Sequence, residues 1–247
     1  MNGKIKERYS RQIVISEIGE EGQEKLGNSS VLVIGCGGLG SPAAIYLASS
    51  GIGRIGLVDD DIVSISNLQR QILHYEKDIG KSKVESASKS IKDINSKIII
   101  DKYDERLTEI NAHEIFSHYD FIIDATDNFK SKFLINDTCV NLGKPFVHAG
   151  VMGFKGQVMT YIPNAGPCYR CIFGNIPEDD LVKRPDMLGI LGTVTGIIGS
   201  IEATEAIKYL LGIGDLLIGR LLTFDALKMS FREIKLPDKS EICTACR

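Results

Sequence analysis

Residues 31–61 read VLVIGCGGLGSPAAIYLASSGIGRIGLVDDD, and this stretch decides the fold. Residues 31–34 are a short apolar run, as a strand buried on both faces requires. Gly35, Gly37 and Gly40 follow as G-x-G-x-x-G. In that pattern the first glycine permits a tight turn, and the second lets backbone approach a phosphate. The third lets the next helix pack close to the strand. The helix is expected from about Ser41-Pro42, proline being tolerated in a first turn. Its free N–H groups and positive dipole end suit an anion. A second strand is expected at 54–58, with Asp59 at its carboxyl end, where an acid that holds a ribose hydroxyl belongs. The stretch predicts a nucleotide site, and the motif alone makes a dinucleotide such as NAD the first candidate.

Outward from this unit, strands and helices alternate. Residues 5–28 are charged and amphipathic and predict one or two helices. A helix is expected at 79–94, a strand at 97–102, a helix at 108–117 with Thr108 as its cap, and a strand at 119–124. A helix at 129–142 should stop at Gly143, and strands follow at 145–151 and 156–162. This alternation predicts an α/β fold with a mostly parallel sheet covered on both faces. Past Gly150 it breaks. A loop with a cysteine pair, a long helix at 194–211 and strands at 221–225 and 229–236 predict antiparallel strands added to the same sheet. The chain reads as one domain over 1–247, with a nucleotide-binding part at 31–150 and an extension at 151–247.

The chain has 247 residues, 43% of them hydrophobic, and a net charge of -3. That composition supports a packed core and gives no general case for nucleic-acid binding. The first residues lack an apolar core of signal-peptide length. The apolar run at 187–201 is glycine-rich and shorter than the roughly 20 residues a membrane span needs. A soluble cytoplasmic protein is expected, and the sequons at Asn28 and Asn136 then carry no meaning.

Several charged and polar residues argue against hydride transfer. Asn67 and Arg70 lie in SNLQRQ just after the acidic run, Lys83 begins the next helix, and Arg11 lies in the N-terminal segment. Asp127 follows the strand at 119–124, so Asp59 and Asp127 should face one crevice outside the carboxyl ends of the strands. Cations near phosphates suit a triphosphate, and a carboxylate beside them suits Mg²⁺. A Walker loop is absent, because the upstream glycine position before Gly80-Lys81-Ser82 holds Tyr75. Cys168, Cys171, Cys243 and Cys246 form two C-x-x-C pairs, a four-thiolate set suited to structural Zn²⁺. Cys36 and Cys139 read as plain structural thiols.

Seven segments together resemble the bacterial E1-like adenylyltransferases of the ThiF/MoeB/HesA family. They are RYSRQI (8–13), VLVIGCGGLGSP (31–42), DDDIVSISNLQRQ (59–71), GKSKVESA (80–87), DATDN (124–128), CYRC (168–171) and CTAC (243–246). The resemblance implies a Rossmann-like sheet and ATP-dependent adenylation of the C-terminal glycine of a ubiquitin-like sulfur carrier ending in Gly-Gly. It implies ATP held by Gly38 and Asp59, phosphates neutralised by Asn67, Arg70 and Lys83, and Mg²⁺ on Asp127. It further implies a homodimer in which Arg11 reaches the neighbouring subunit's triphosphate, and a cysteine desulfurase or other sulfur donor as a further partner. Some members carry a cysteine in the crossover loop where this chain has Arg184-Pro185-Asp186. Proline is no nucleophile, so the expected reaction stops at the adenylate. Thiamine thiazole and molybdopterin pathways both stay open. The alternatives are activation of a tRNA or peptide carboxylate on the same fold and, in another class, an NAD-dependent oxidoreductase.

Overall fold

The structure is a computed structural model and describes residues 3–175 and 189–247. Three short helices open it: α1 (Gly3–Arg8), α2 (Ser10–Ile13) and α3 (Gly19–Gly27). The alternating part follows as β1 (Ser30–Ile34), α4 (Gly40–Ser50), β2 (Arg54–Val58), α5 (Lys83–Ile94) and β3 (Ile99–Tyr103). It continues through α6 (Glu109–Ser117), β4 (Phe121–Asp124), α7 (Phe129–Leu142) and β5 (Phe146–Met152). The remainder is β6 (Lys155–Tyr161), α8 (Tyr169–Phe173), α9 (Gly192–Leu211), β7 (Arg220–Asp225) and β8 (Ser230–Lys235).

One sheet carries all eight strands in the order β3-β2-β1-β4-β5-β6-β7-β8. The first five are parallel, and β6, β7 and β8 are added antiparallel. The chain winds outward from β1 to β3, then crosses back to β4. The switch in direction therefore falls between β1 and β4, and in such sheets the crevice opens there, beyond the carboxyl ends.

The strand interiors explain the layering. Val31, Val33, Ile55 and Leu57 bury one face under α4, α5 and α9, while Leu32, Ile34, Ile122 and Phe146 bury the other under α6, α7 and α8. Period-2 alternation sends successive side chains to opposite faces, so a strand apolar at every position must be covered twice.

The expected elements are present with shifted ends. The N-terminal segment makes three helices. The helix expected from 79 starts at Lys83, because Gly80 takes φ +84° and a 3₁₀ turn occupies Glu76–Asp78. Ser82 caps α5 through its hydroxyl. Thr108 caps α6 with a reciprocal bond from Asn111, and Gly143 ends α7 in the left-handed conformation. The loop expected around Cys168 contains the short helix α8.

Candidate functional site at the carboxyl edge of the sheet

The glycine turn joins β1 to α4 at the switch point. Gly35 has φ +95°, and a side-chain carbon there would lie 2.7 Å from the Ala125 carbonyl oxygen. At Gly40 it would lie 1.8 Å from the Gly35 oxygen, so no side chain fits without opening the turn. Gly37 is different. A carbon there would meet only the Gln71 amide nitrogen, at 3.6 Å, so the turn faces open space at its second glycine. Gly38 packs on Thr195 near the start of α9, where a side-chain carbon would come within 3.1 Å.

Asp59 is tied to this turn. Its carboxylate accepts from the Cys36 N–H at 2.7 Å and from the Asp61 N–H at 2.9 Å. Lys83 Nζ stands 4.0 Å from Asp59 and 2.7 Å from Asp61. Burial pushes the Asp59 carboxyl above its ordinary range, against the pull of Lys83 and the two N–H donors. Lys83 itself is buried, so its charge is held at the edge by acids and not by water. His74 bridges the turn to α5, with one ring nitrogen 2.9 Å from the Cys36 oxygen and the other 2.9 Å from the Ser86 hydroxyl.

Asn67 and Arg70 reach the same edge on the segment after β2. The Asn67 side chain accepts from the Ser64 N–H at 3.1 Å, closing a 3₁₀ turn. The half-buried Arg70 donates to the Ser66 carbonyl at 3.0 Å. Asp127 follows β4 on the adjacent strand end and is exposed. The structure thus brings Gly38, Asp59, Asn67, Arg70, Lys83 and Asp127 to one edge.

Arg11 lies at the other edge. Next to it, Gln12 donates to the Ser50 carbonyl at 3.1 Å, and Tyr9 accepts from Asn95 at 2.9 Å. Ser50 and Asn95 end α4 and α5. Helices of parallel units run back toward the amino ends of the strands, so the segment carrying Arg11 lies at the edge opposite its own chain's crevice.

Sequence reasoning missed a buried network beneath Asp127. Asp124, the last residue of β4, accepts from the Thr126 hydroxyl at 2.6 Å and the His148 ring at 2.8 Å. Lys132 Nζ stands 3.4 Å away and donates to the Ala149 carbonyl at 2.8 Å. Burial opposes the Asp124 charge, but Lys132 and His148 outweigh it and hold the carboxyl at about 2. Burial and Lys132 bring His148 down to about 4, so its ring is neutral and donates through Nδ1. The only signal for this network was the quoted DATDN, and nothing local marked its partners.

The four cysteines converge on the other face. Sulfur separations are 3.8 Å for Cys168–Cys171, 3.6 Å for Cys168–Cys243 and 3.4 Å for Cys171–Cys246. A tetrahedral zinc with bonds of about 2.3 Å needs sulfurs about 3.8 Å apart, so the set fits that ion. Burial raises the Cys243 thiol, yet N–H groups of Cys246 and Ala245 outweigh it and bring it to about 7. The Ser240 N–H also lies 3.4 Å from the Cys171 sulfur. The cluster is anchored on α7, where Arg170 makes a two-pronged pair with Asp137 at 2.6 and 2.7 Å. Cys36 and Cys139 are buried, and burial pushes both thiols far up, as inert core groups require. Concavities of about 690 and 590 Å³ flank Arg170, and neither is lined by Asp59, Lys83 or Asp127.

A mostly parallel sheet with a glycine turn, an acid and a buried lysine at its switch point defines a Rossmann-like α/β protein, here with a four-cysteine extension. The profile of the ThiF family matches residues 9–245, and the chain belongs to that family. Adenylyltransferase and sulfurtransferase MOCS3 of Aedes aegypti is 48% identical over 239 residues, covering 97% of this chain and 55% of the relative. The MOCS3 of Arabidopsis thaliana is also 48% identical, over 97% of this chain and 52% of its own length. The chain thus spans about half the length of these curated relatives. A crystal structure of E. coli MccB with ATP superposes with a TM-score of 0.86 at 24% identity, over 100% of this chain and 77% of that one. That likeness speaks for the fold. Among the described residues no helix is long and apolar enough to cross a membrane. The crossover-loop position Arg184-Pro185-Asp186 lies outside the described residues.

Proposed function

We propose that this chain adenylates the C-terminal glycine of a ubiquitin-like sulfur-carrier protein, using ATP and releasing pyrophosphate. The observation that carries this reading is the tie of Asp59 to the glycine turn through the Cys36 N–H, with the buried Lys83 beside Asp59 and Asp61. Cations gathered at a phosphate seat suit the higher charge of a triphosphate better than the pyrophosphate bridge of a dinucleotide. The MOCS3 relatives are adenylyltransferases and sulfurtransferases, which supports adenylyl transfer here, and the pathway is of the molybdopterin or thiamine type.

In this reading Asp59 orients the ribose, and Gly38 helps hold the nucleotide as part of the glycine turn. Lys83, now paired with Asp61, turns to the phosphates once they arrive; Asn67 and Arg70 exchange their local bonds for phosphate oxygens. Asp127, exposed beside the crevice, offers the hard oxygen ligand Mg²⁺ prefers, and one or two carboxylates plus phosphates suffice for that ion. When bound, Mg²⁺ supplies charge neutralisation at the phosphates. The carrier carboxylate attacks the α-phosphorus, the bond to the bridging oxygen breaks, and pyrophosphate leaves. Positioning and charge neutralisation do most of the catalysis.

Arg11 serves the second subunit of a homodimer, because it sits at the edge opposite its own crevice. The cysteine knuckle holds Zn²⁺ and pins the segment 237–247 to α7 and α8. A cysteine desulfurase or another donor supplies sulfur to the activated carrier in a later step, and the protein acts in the cytoplasm. Isotope exchange of pyrophosphate into ATP tests the reading. Exchange is expected only with a carrier ending in Gly-Gly, and its absence with every sulfur carrier tried would overturn the proposal.

A further inference from the structure

The segment that joins β4 to α7 reads Asp124-Ala125-Thr126-Asp127-Asn128, and every residue in it but one is tied down. Ala125 donates its N–H to the Ile34 carbonyl at 3.0 Å. Its own carbonyl oxygen lies 2.7 Å from where a side-chain carbon on Gly35 would stand, so this backbone rests on the glycine turn. Thr126 donates its N–H at 3.2 Å and its hydroxyl at 2.6 Å to one oxygen of Asp124. Asn128 caps α7, its side chain accepting from the Ser131 N–H at 2.9 Å. The exception is Asp127, which is exposed and whose side chain has no hydrogen bond or ion pair with any described residue.

The hydroxyl bond has a particular consequence. A hydroxyl on an ionised carboxylate makes a short bond, roughly twice as strong as one between neutral groups. Asp124 is buried and ionised, and it is already met by the His148 ring at 2.8 Å and by Lys132 at 3.4 Å. Its place is set by β4 and by those two partners. The added bond therefore fixes Thr126, and with it the peptide that leads into Asp127. On the far side Asn128 fixes the start of α7. The Asp127 backbone is held from both neighbours while its carboxylate stands free. Mg²⁺ demands near-ideal octahedral geometry with bonds of about 2.0–2.1 Å. A carboxylate with no partner to orient it can meet that demand only if its main chain is held in place.

We infer that Thr126 is a positioning residue for the cation: its hydroxyl, anchored on Asp124, fixes the backbone from which Asp127 presents its carboxylate to the Mg²⁺ of the nucleotide. This inference rests on the ATP and Mg²⁺ reading above and ties that site to the buried network beneath it. Only the hydroxyl is required, so serine serves in place of threonine, and valine, of the same shape, does not.

The test is equilibrium binding of ATP to the whole chain, in buffer freed of Mg²⁺ without a chelator and again in saturating Mg²⁺. The natural protein, Thr126→Val, Thr126→Ser and Asp127→Ala are compared, with thermal unfolding of each. The quantity read is the gain in affinity that Mg²⁺ confers. The natural chain should show a clear gain, and Asp127→Ala little or none. Thr126→Val is expected to bind magnesium-free ATP as the natural chain does and to have its gain reduced about tenfold, while Thr126→Ser keeps it. Because the gain is a ratio measured on one protein, a loss of stability that leaves the chain folded does not mimic this result. Thr126→Ala, expected to behave as valine does, stands in if valine prevents folding. A full gain in Thr126→Val, or a gain lost equally in Thr126→Ser, overturns the inference and leaves the ATP reading standing. Equal weakening with and without Mg²⁺ assigns Thr126 a purely structural part and also overturns it. A full gain in Asp127→Ala, or none in the natural chain, ends the Asp127 assignment and the inference with it. If the natural chain binds no ATP in either buffer, the functional reading itself fails.

Discussion

Replacing His148 by asparagine tests the buried network under Asp127 through its pH dependence. His148 is 1% exposed and neutral in the folded chain, with its ring brought from 6.5 to about 4 by burial and by Lys132. The unfolded chain protonates it near the ordinary value. Above that value both states are neutral and the stability is full. As pH falls below it, the unfolded state takes up a proton that the folded state refuses, and stability drops until the folded ring also titrates. Between pH values of about 7.5 and 5 the loss from this one group is about 2 kcal/mol. Asparagine presents an N–H near Nδ1 but does not titrate. Guanidinium unfolding of both proteins at the two pH values isolates His148, because every other group cancels in the difference. His148→Asn should be less stable at neutral pH, since the ring also packs on Tyr169 at 4.5 Å between centroids. Its deficit should shrink by about 2 kcal/mol on going to pH 5. A deficit that stays constant, or grows, would falsify the neutral ring. Growth would mean an imidazolium paired to Asp124, with the attraction outweighing burial.

Other outcomes follow from the same geometry. Purified protein should contain about one zinc per chain by elemental analysis. Cys243→Ser should lose the metal and unfold at lower temperature, and a metal-free natural chain of unchanged stability would end the zinc assignment. Arg11→Ala and Lys83→Ala should each be nearly inactive in pyrophosphate exchange, yet a mixture that exchanges subunits should regain activity. Failure to regain it would place Arg11 outside the neighbour's crevice. Glu202 has both oxygens buried and unpartnered, and burial pushes its carboxyl well above the ordinary range. A raised acid contributes stability that is full below the unfolded value and lost as pH rises. Glu202→Gln should therefore gain stability over the natural chain between pH values of about 5 and 8, as read by chemical unfolding.

Much of the fold was legible because its signals are local. The apolar runs of β1, β2 and β4 have the length and composition of buried strands, and Gly143 and Thr108 end and begin helices where residue chemistry says they should. The start of α5 was misplaced because Gly80 and the preceding 3₁₀ turn interrupt an otherwise helical pattern. The short helix α8 escaped notice because five residues give too little periodicity to read. At the site, residue type and order pointed to Asp59, Lys83 and the cysteine pairs. Asp61 and His74 did not announce themselves, since their importance lies in what they touch.

The glycine turn, the alternating strand–helix plan and the two cysteine pairs are all written within windows a few residues wide, so they can be read without the fold. Tertiary structure alone decided which strands are neighbours. With β4 beside β1, Asp127 comes to the edge that holds Asp59 and Lys83, and the return of α4 and α5 sends Arg11 to the opposite edge. It also set Lys132 and His148 on Asp124, and the Gln71 amide over Gly37. Such contacts join residues far apart in the chain. Close-packing and the sheet order select them, and no local propensity encodes either.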